Sequence, residues 1–372
     1  MGLTSKKVLL AAALLALALF TLTVWLWPRL SRRAVVPVLG RVGMLLGTQL
    51  SLLAALGLAL NYSMGFYASW SDLFGLNTTP GVVVNHALGS PHTGGMRVLG
   101  TVHMGVPGGA VPSRGGQIQR VAIAGGVSGI TSTAYIYLPP QYFQQPATRF
   151  PAALVLTGYP GTAEALYKKL RYPAISAEQV RQGTARPMVL VMMRPTVAPP
   201  RDTECTDVPG GPQAETFFAK DLPRALTARY RIAEGPANWG VIGDSTGGYC
   251  ALKLALRDPG SFSVAVGLSA DYGAPQDATT GDLYGGSPVR RRENDLMWRL
   301  AHLPHPPVNL LVTSSRKGEH NYKATLRFIA LAGGQTHISS IILPSGGHNF
   351  TTWAREIPPA MEWLSARLAP PL

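Results

Sequence analysis

Hydrophobic and polar positions divide the chain into three regimes. From Val8 to Trp27 twenty successive positions carry no charge, and only Thr21 and Thr23 are polar. At 1.5 Å per helical residue such a run matches a hydrocarbon core of about 30 Å. Trp25 and Trp27 close it, where amphipathic rings favour the membrane–water interface. A second uncharged stretch follows Arg41 and reaches Ser71, strongest from Val42 to Leu60. The pattern predicts two spans. A cleaved signal peptide is the rival reading of the first, but the run is long and no A-x-A site follows it before Pro28-Arg29.

From Gln117 onward the pattern is that of a folded domain. QIQRVAI and ITSTAYIYL alternate on either side of Gly125-Gly126, which predicts a hairpin. Short apolar runs then recur at 152–158, 188–193, 239–245, 262–269, 308–314 and 337–344. Each is bounded by turn residues, as strands buried on both faces are. Helical segments are predicted between them: Ala163–Leu170, Ala174–Arg181, Glu215–Tyr230, Gly248–Arg257, Tyr322–Leu331 and Met361–Leu368. A hairpin followed by alternating strands and helices predicts an α/β fold, a mainly parallel sheet with helices on both faces. The intervening Tyr62–Pro112 stretch is rich in Gly, Ser, Thr, His and Pro, and carries Phe66, Tyr67, Trp70 and Phe74. It reads as an interfacial aromatic belt followed by a linker or lid with some strand. The expected organisation is a membrane anchor over 1–67, a juxtamembrane linker over 68–112 and an α/β domain over 113–372.

Charge changes the picture in one respect. The chain has 33 basic and 19 acidic residues, a formal net charge of +14. The excess is dispersed, with Arg290-Arg291-Arg292 as its basic run, and no nucleic-acid-binding motif accompanies it. No nucleic-acid partner is expected; a lipid bilayer is, through the amino-terminal helices, with the excess charge suited to an anionic membrane or cell-wall surface. Arg29, Arg32, Arg33 and Arg41 lie between the two spans, and no basic residue separates Arg41 from Arg97. By the positive-inside rule the connector is cytoplasmic and the α/β domain extracytoplasmic, although Lys6 and Lys7 pull weakly the other way.

The candidate chemistry begins at the run WGVIG, which enters Gly243-Asp244-Ser245-Thr246-Gly247-Gly248 and then YCALKLALR. This is G-x-S-x-G at a strand-to-helix turn, the context in which a serine hydroxyl is presented as a nucleophile. The order of partners on such a scaffold is serine, acid, histidine. Five histidines follow: His302 and His305 in a Pro-rich connector, His320, His337 opening a strand, and His348 in PSGGHNFTTW after the last apolar run. His348 is the expected base. Glu319, five residues past the strand ending at Ser314, is the expected acid, with Asp271, Glu293 and Asp295 as alternatives. The oxyanion donors are expected to be the amides of Thr246 and Tyr159, the latter in TGYPG after an early strand. His86, His92 and His103 lack metal-ligand spacing, and neither a metal nor an organic cofactor is expected. Cys205 and Cys250 suit a disulfide if the domain faces outward. Asp202, Glu204 and Asp207 around Cys205 form an acidic cluster that could contact substrate; a solvated cluster is the favoured reading.

G-D-S-T-G-G at 243–248, the glutamate of G-E at 318–319 and G-G-H at 346–348 resemble the esterase D and enterochelin-esterase branch of the α/β-hydrolase superfamily, which includes the secreted mycolyltransferases. The resemblance covers roughly 115–370. It implies an α/β-hydrolase fold, a glutamate as acid, which favours Glu319, and a second oxyanion amide following a glycine, which favours Tyr159. Those mycolyltransferases usually carry Asp-Gly after the early strand, where this chain has Thr157-Gly158. With its membrane hairpin the chain is similar to actinobacterial membrane-anchored esterases. The resulting expectation is a membrane-anchored, extracytoplasmic serine esterase acting on an ester or acyl-lipid substrate. An acyltransferase onto cell-envelope lipids or glycans is the alternative, and a catalytically silent envelope-binding protein a third reading. Oligomeric state, acyl chain and acceptor are left open.

Overall fold

A computed structural model of the protein describes residues 6–31, 34–64, 95–102, 111–199 and 201–372. The chain divides into two units, 1–80 and 81–372. The aromatic positions 66–74 and His86, His92 and His103 lie outside the described residues.

The first unit contains helices α1 (Lys6–Leu26) and α2 (Val35–Met64), each long and apolar enough to cross a membrane. Their leucines are largely exposed, as a lipid-facing surface requires. Where they meet, Thr23 donates to the Leu19 carbonyl and its oxygen lies 2.9 Å from the Thr48 hydroxyl, a polar contact in an otherwise apolar seam. Arg29 lies over the Trp25 ring at 4.3 Å and Arg41 over Trp27 at 5.8 Å. Helix α2 begins before Arg41, so that residue is helical and not part of the connector.

The second unit is built on a nine-stranded sheet in the order β1-β2-β3-β5-β4-β6-β7-β8-β9. Its strands are β1 (Gly95–Val102), β2 (Gln117–Ala124), β3 (Thr131–Leu138), β4 (Ala152–Leu156), β5 (Val189–Met193), β6 (Trp239–Asp244), β7 (Val264–Leu268), β8 (Asn309–Ser315) and β9 (His337–Leu343). The first three run antiparallel and β3 joins β5 antiparallel; β5 through β9 are parallel. The predicted hairpin pairs Gln117 with Leu138 through Ala124 with Thr131. Its turn is closed by Asp221, whose carboxylate accepts from the amides of Val127 and Ser128 at 2.9 and 2.8 Å. β1, inside the stretch read as linker with some strand, extends the sheet beyond that hairpin; its exposed side chains leave little apolar pattern to read.

β4, β5, β6 and β7 are buried at every position, which is why they appear as continuous apolar runs. Alternate residues feed two cores: Leu154, Val191 and Val241 point to one face, and Val155, Met192 and Ile242 to the other. The carboxy-terminal helix runs from Phe350 to Arg367, well ahead of the predicted start at Met361. Pro358 and Pro359 mask it in the sequence, yet Trp353, Ile357, Ala360, Met361 and Leu364 keep one buried face across them. Asn349 caps this helix by accepting from the Thr352 amide at 3.1 Å, and so fixes the residue after His348.

Candidate active site

Parallel strands deliver their following loops to one edge of the sheet, and the site residues arrive there. Ser245 stands between β6 and the helix Thr246–Arg257 with φ 54° and ψ −122°, a conformation that is costly for a residue with a Cβ. The turn tolerates nothing larger than glycine on its flanks. A Cβ on Gly243 would lie 2.4 Å from the Gly247 carbonyl, and one on Gly247 would lie 2.4 Å from the Leu156 carbonyl oxygen. The Ser245 amide donates to the Leu268 carbonyl at 2.9 Å, tying the strained residue to β7.

His348 Nε2 is 2.8 Å from Ser245 Oγ. On the other side of the ring, Nδ1 is 3.5 Å from Glu319 Oε2, longer than an ordinary hydrogen bond but close enough for the charges to interact. Glu319 is anchored through its second oxygen, which accepts from Ser269 Oγ at 2.7 Å; Trp353 Nε1 donates to that same hydroxyl at 3.0 Å. The Trp353 ring also meets His348 edge-on at 5.2 Å. Burial pulls the His348 pKa down, but the Glu319 carboxylate, aided by Asp271 and Asp244, outweighs it and holds the imidazole above its ordinary value. Burial pushes Glu319 up, whereas His348 and Ser269 prevail and hold it below the usual carboxylate range.

The alternative acids go elsewhere. Asp271 is exposed and pairs with His320 at 3.5 Å. Asp295 caps the helix Leu296–His302 by accepting from the Trp298 amide, and the Glu293 carbonyl accepts from Arg257. Of the other histidines, His302 ends that helix, His305 Nε2 donates to the Leu300 carbonyl at 2.7 Å, and His337 opens β9. Thr246 and Tyr159 both line the cavity beside Ser245. Thr246 opens its helix, so its amide has no intrahelical acceptor. Ligand atoms of Glu319, His320 and His348 lie within 4.8 Å of one another, a spacing that suits a metal. However, the hydroxyl of Ser245 and the carboxylate of Glu319 already approach the two ring nitrogens of His348.

Three features escape the sequence reading. Asp244, at the variable position of the motif, is buried and accepts from the Gly158 amide at 2.9 Å, fastening the TGYPG loop to the serine turn. Burial raises its pKa to about 7 against the opposing pull of Gly158 and His348. Glu356 is fully buried, accepts from Thr313 Oγ1 at 2.7 Å, and is likewise pushed by burial to about 7. Thr313 in turn accepts from the Ser269 amide at 3.0 Å, so Glu356 supports the residue that holds Glu319. Thirdly, the acidic cluster is not solvated: Asp202 is 1% and Glu204 7% exposed. Asp207 is a local cap, accepting from the Thr216 amide and hydroxyl. Nothing in a one-dimensional pattern distinguishes an acid folded inward from one left in water. Cys205 and Cys250 form a disulfide with Cα atoms 5.6 Å apart, joining this acidic segment to the helix behind Ser245.

Comparisons with known proteins agree with this architecture. A family model described as "Putative esterase" matches residues 129–364. An uncharacterized protein of Corynebacterium glutamicum is 23% identical over 279 residues, 68% of this chain and 62% of its own length. The chain therefore spans less than two thirds of that relative. Among solved structures, an S-formylglutathione hydrolase from Agrobacterium tumefaciens superposes with TM-score 0.58 at 13% identity, covering 73% of this chain and all of that one. A ferulic acid esterase gives 0.56 at 16%, over 66% of this chain and 96% of its own. The fluorophosphonate-binding serine hydrolase F of Staphylococcus aureus gives 0.53 at 17%, over 67% and 98%. The fold is that of the α/β-hydrolases, and with well over half its length matched by the family model, the chain belongs to the esterase family.

Proposed function

We propose that this protein is a membrane-anchored, extracytoplasmic serine esterase that works through an acyl-enzyme. The observation that carries the reading is the 2.8 Å approach of His348 Nε2 to a serine hydroxyl held at positive φ. In the proposed mechanism His348 takes the Ser245 proton as Oγ attacks the ester carbonyl, and Glu319 stabilises the imidazolium that forms. The carbonyl oxygen, now negative, is received by the amides of Thr246 and Tyr159. Collapse of the intermediate expels the alcohol with the proton from His348, leaving the acyl group on Ser245. Water, activated by the same imidazole, then releases the acid and restores the serine. Asp244 keeps the Tyr159 loop in register with the nucleophile through Gly158.

Helices α1 and α2 supply the anchor, and the arginines between them favour a cytoplasmic connector. The Cys205–Cys250 disulfide is consistent with that placement, since such bonds persist in oxidising compartments. The test is labelling of the full chain with a fluorophosphonate probe, which captures activated serines. Wild type is expected to label, and Ser245→Ala and His348→Ala to lose the signal; equal labelling of all three would dismiss the assignment. Protease added to intact spheroplasts is expected to cleave the α/β domain, and full protection would reverse the topology.

A further inference from the structure

The cavity beside Ser245 has a volume of about 580 Å³ and a consistent chemical character. Asp202, Glu204, Asp271 and Asp277 contribute to its wall, with the rings of Tyr249 and Tyr272; no lysine, arginine or histidine lines it among the described residues. This is an acid-walled chamber in a chain with net charge +14, so it does not follow from overall composition.

Two of these acids are built into place. Glu204 and Cys205 both have positive φ, 46° and 50°, and the disulfide clamps them to the helix that starts at Thr246. The Glu204 amide donates to Asp202 Oδ1 at 3.1 Å, and the Asp202 amide to the Thr279 carbonyl at 3.3 Å. Glu204 Oε1 receives only a long contact from Thr246 Oγ1, at 3.4 Å, while Glu204 Oε2 is buried with no hydrogen-bond partner. Lys253 makes no hydrogen bond to this carboxylate: its ammonium donates to Thr206 Oγ1 at 2.7 Å and to the Glu204 backbone carbonyl at 3.3 Å, and lies 3.5 Å from Glu215. Lys253 pulls Glu204 down and Arg194 pulls Asp202 down, against burial, but neither base lines the chamber. Burial, then mutual repulsion, pushes Glu204 well above the usual carboxylate range, and burial raises Asp202 to about 6. An unpaired buried carboxyl beside a second one is costly unless something arrives to satisfy it. A neutral acyl chain would leave that cost standing.

We propose that the chamber receives a positively charged group of the ester substrate, an ammonium held by Asp202 and Glu204. The inference rests on the reading of Ser245 as nucleophile and adds the substrate class. A cation there pairs with both carboxyls, and their burial strengthens the attraction. The strained backbone at Glu204 and Cys205 has a use in this view, since it turns the acid toward the nucleophile and away from water.

The test compares matched esters on the full chain in detergent. One pair is a choline ester and its isostere with a quaternary carbon in place of nitrogen; a second pair carries the same replacement on the acyl side. The readout is the ratio of kcat/KM, cationic over neutral, within each pair, which divides out any general loss of folded or active enzyme. The expected ratio is about tenfold or more in at least one pair, falling toward one in Glu204→Gln and in Asp202→Asn, as removal of a desolvated charge partner requires. Tetramethylammonium is expected to inhibit neutral-ester hydrolysis competitively in wild type and much less in Glu204→Gln. A ratio near one in both wild-type pairs, or a preference that survives the two substitutions combined, overturns the proposal while leaving the esterase reading intact. Hydrolysis of neutral esters that persists in Ser245→Ala would remove the nucleophile itself, and this proposal with it.

Discussion

Removing the Cys205–Cys250 disulfide should weaken the domain by an amount the fold lets one work out. The bond closes a loop of 45 residues, which in the chain-entropy model costs the unfolded state about 13 cal/mol/K, or about 4 kcal/mol at 25 °C. That loop contains β6 and most of the serine turn, so the constraint falls on the element that presents Ser245. Both cysteines are fully buried, and their replacement by alanine adds a small packing loss of the same sign. At roughly 2–4 °C per kcal/mol for a domain of this size, the melting temperature of the Cys205→Ala, Cys250→Ala double variant should fall by about 8–16 °C. Thermal unfolding followed by near-ultraviolet circular dichroism is the assay, with each single variant alongside. The singles should match the double, because either one opens the loop. A double variant that melts with wild type would refute the reasoning, and so would one single variant retaining wild-type stability.

Further outcomes follow from the same geometry. The base must be neutral to act, so kcat/KM for a neutral ester should rise with pH through the His348 titration, which Glu319 holds above its ordinary value. Glu319→Gln should move that limb to lower pH and reduce kcat by about 10³–10⁴-fold; an unshifted limb would mean that another group holds the ring. Gly247→Ala sets a Cβ 2.4 Å from the Leu156 carbonyl oxygen, so the turn must open. Probe labelling of correctly folded Gly247→Ala should be lost, and labelling at the wild-type rate would show that the turn has room to give.

Much of this was legible in the chain because the physics behind it is local. Buried parallel strands need apolar runs, a strand-to-helix turn this tight needs Gly243 and Gly247, and the order serine, glutamate, histidine follows the order of the strands that carry them. Glu319 could be ranked above Asp271 and Asp295 from sequence, and the last two prove to be a surface partner of His320 and a helix cap. What was hidden is non-local. Glu204 and Asp202 read as solvent-facing until the disulfide and the Thr279 contact fold them inward, and the support of Glu319 by Ser269, Trp353, Thr313 and Glu356 joins residues from three separate segments. The Phe350–Arg367 helix was shortened in the reading by two prolines whose effect tertiary packing overrides.

The sheet itself has a bearing on how such a protein can diversify. Tyr159, Glu204, Ser245, Ser269, Glu319 and His348 follow β4, β5, β6, β7, β8 and β9 in turn, while the antiparallel trio β1–β3 carries none of the candidate site residues. The candidate site is thereby confined to the loops of the parallel part of the sheet. The loops that follow β4 to β9 can vary without disturbing the strands beneath them, each a dial on what the enzyme accepts, whereas β1–β3 share the sheet and both cores and cannot be exchanged alone.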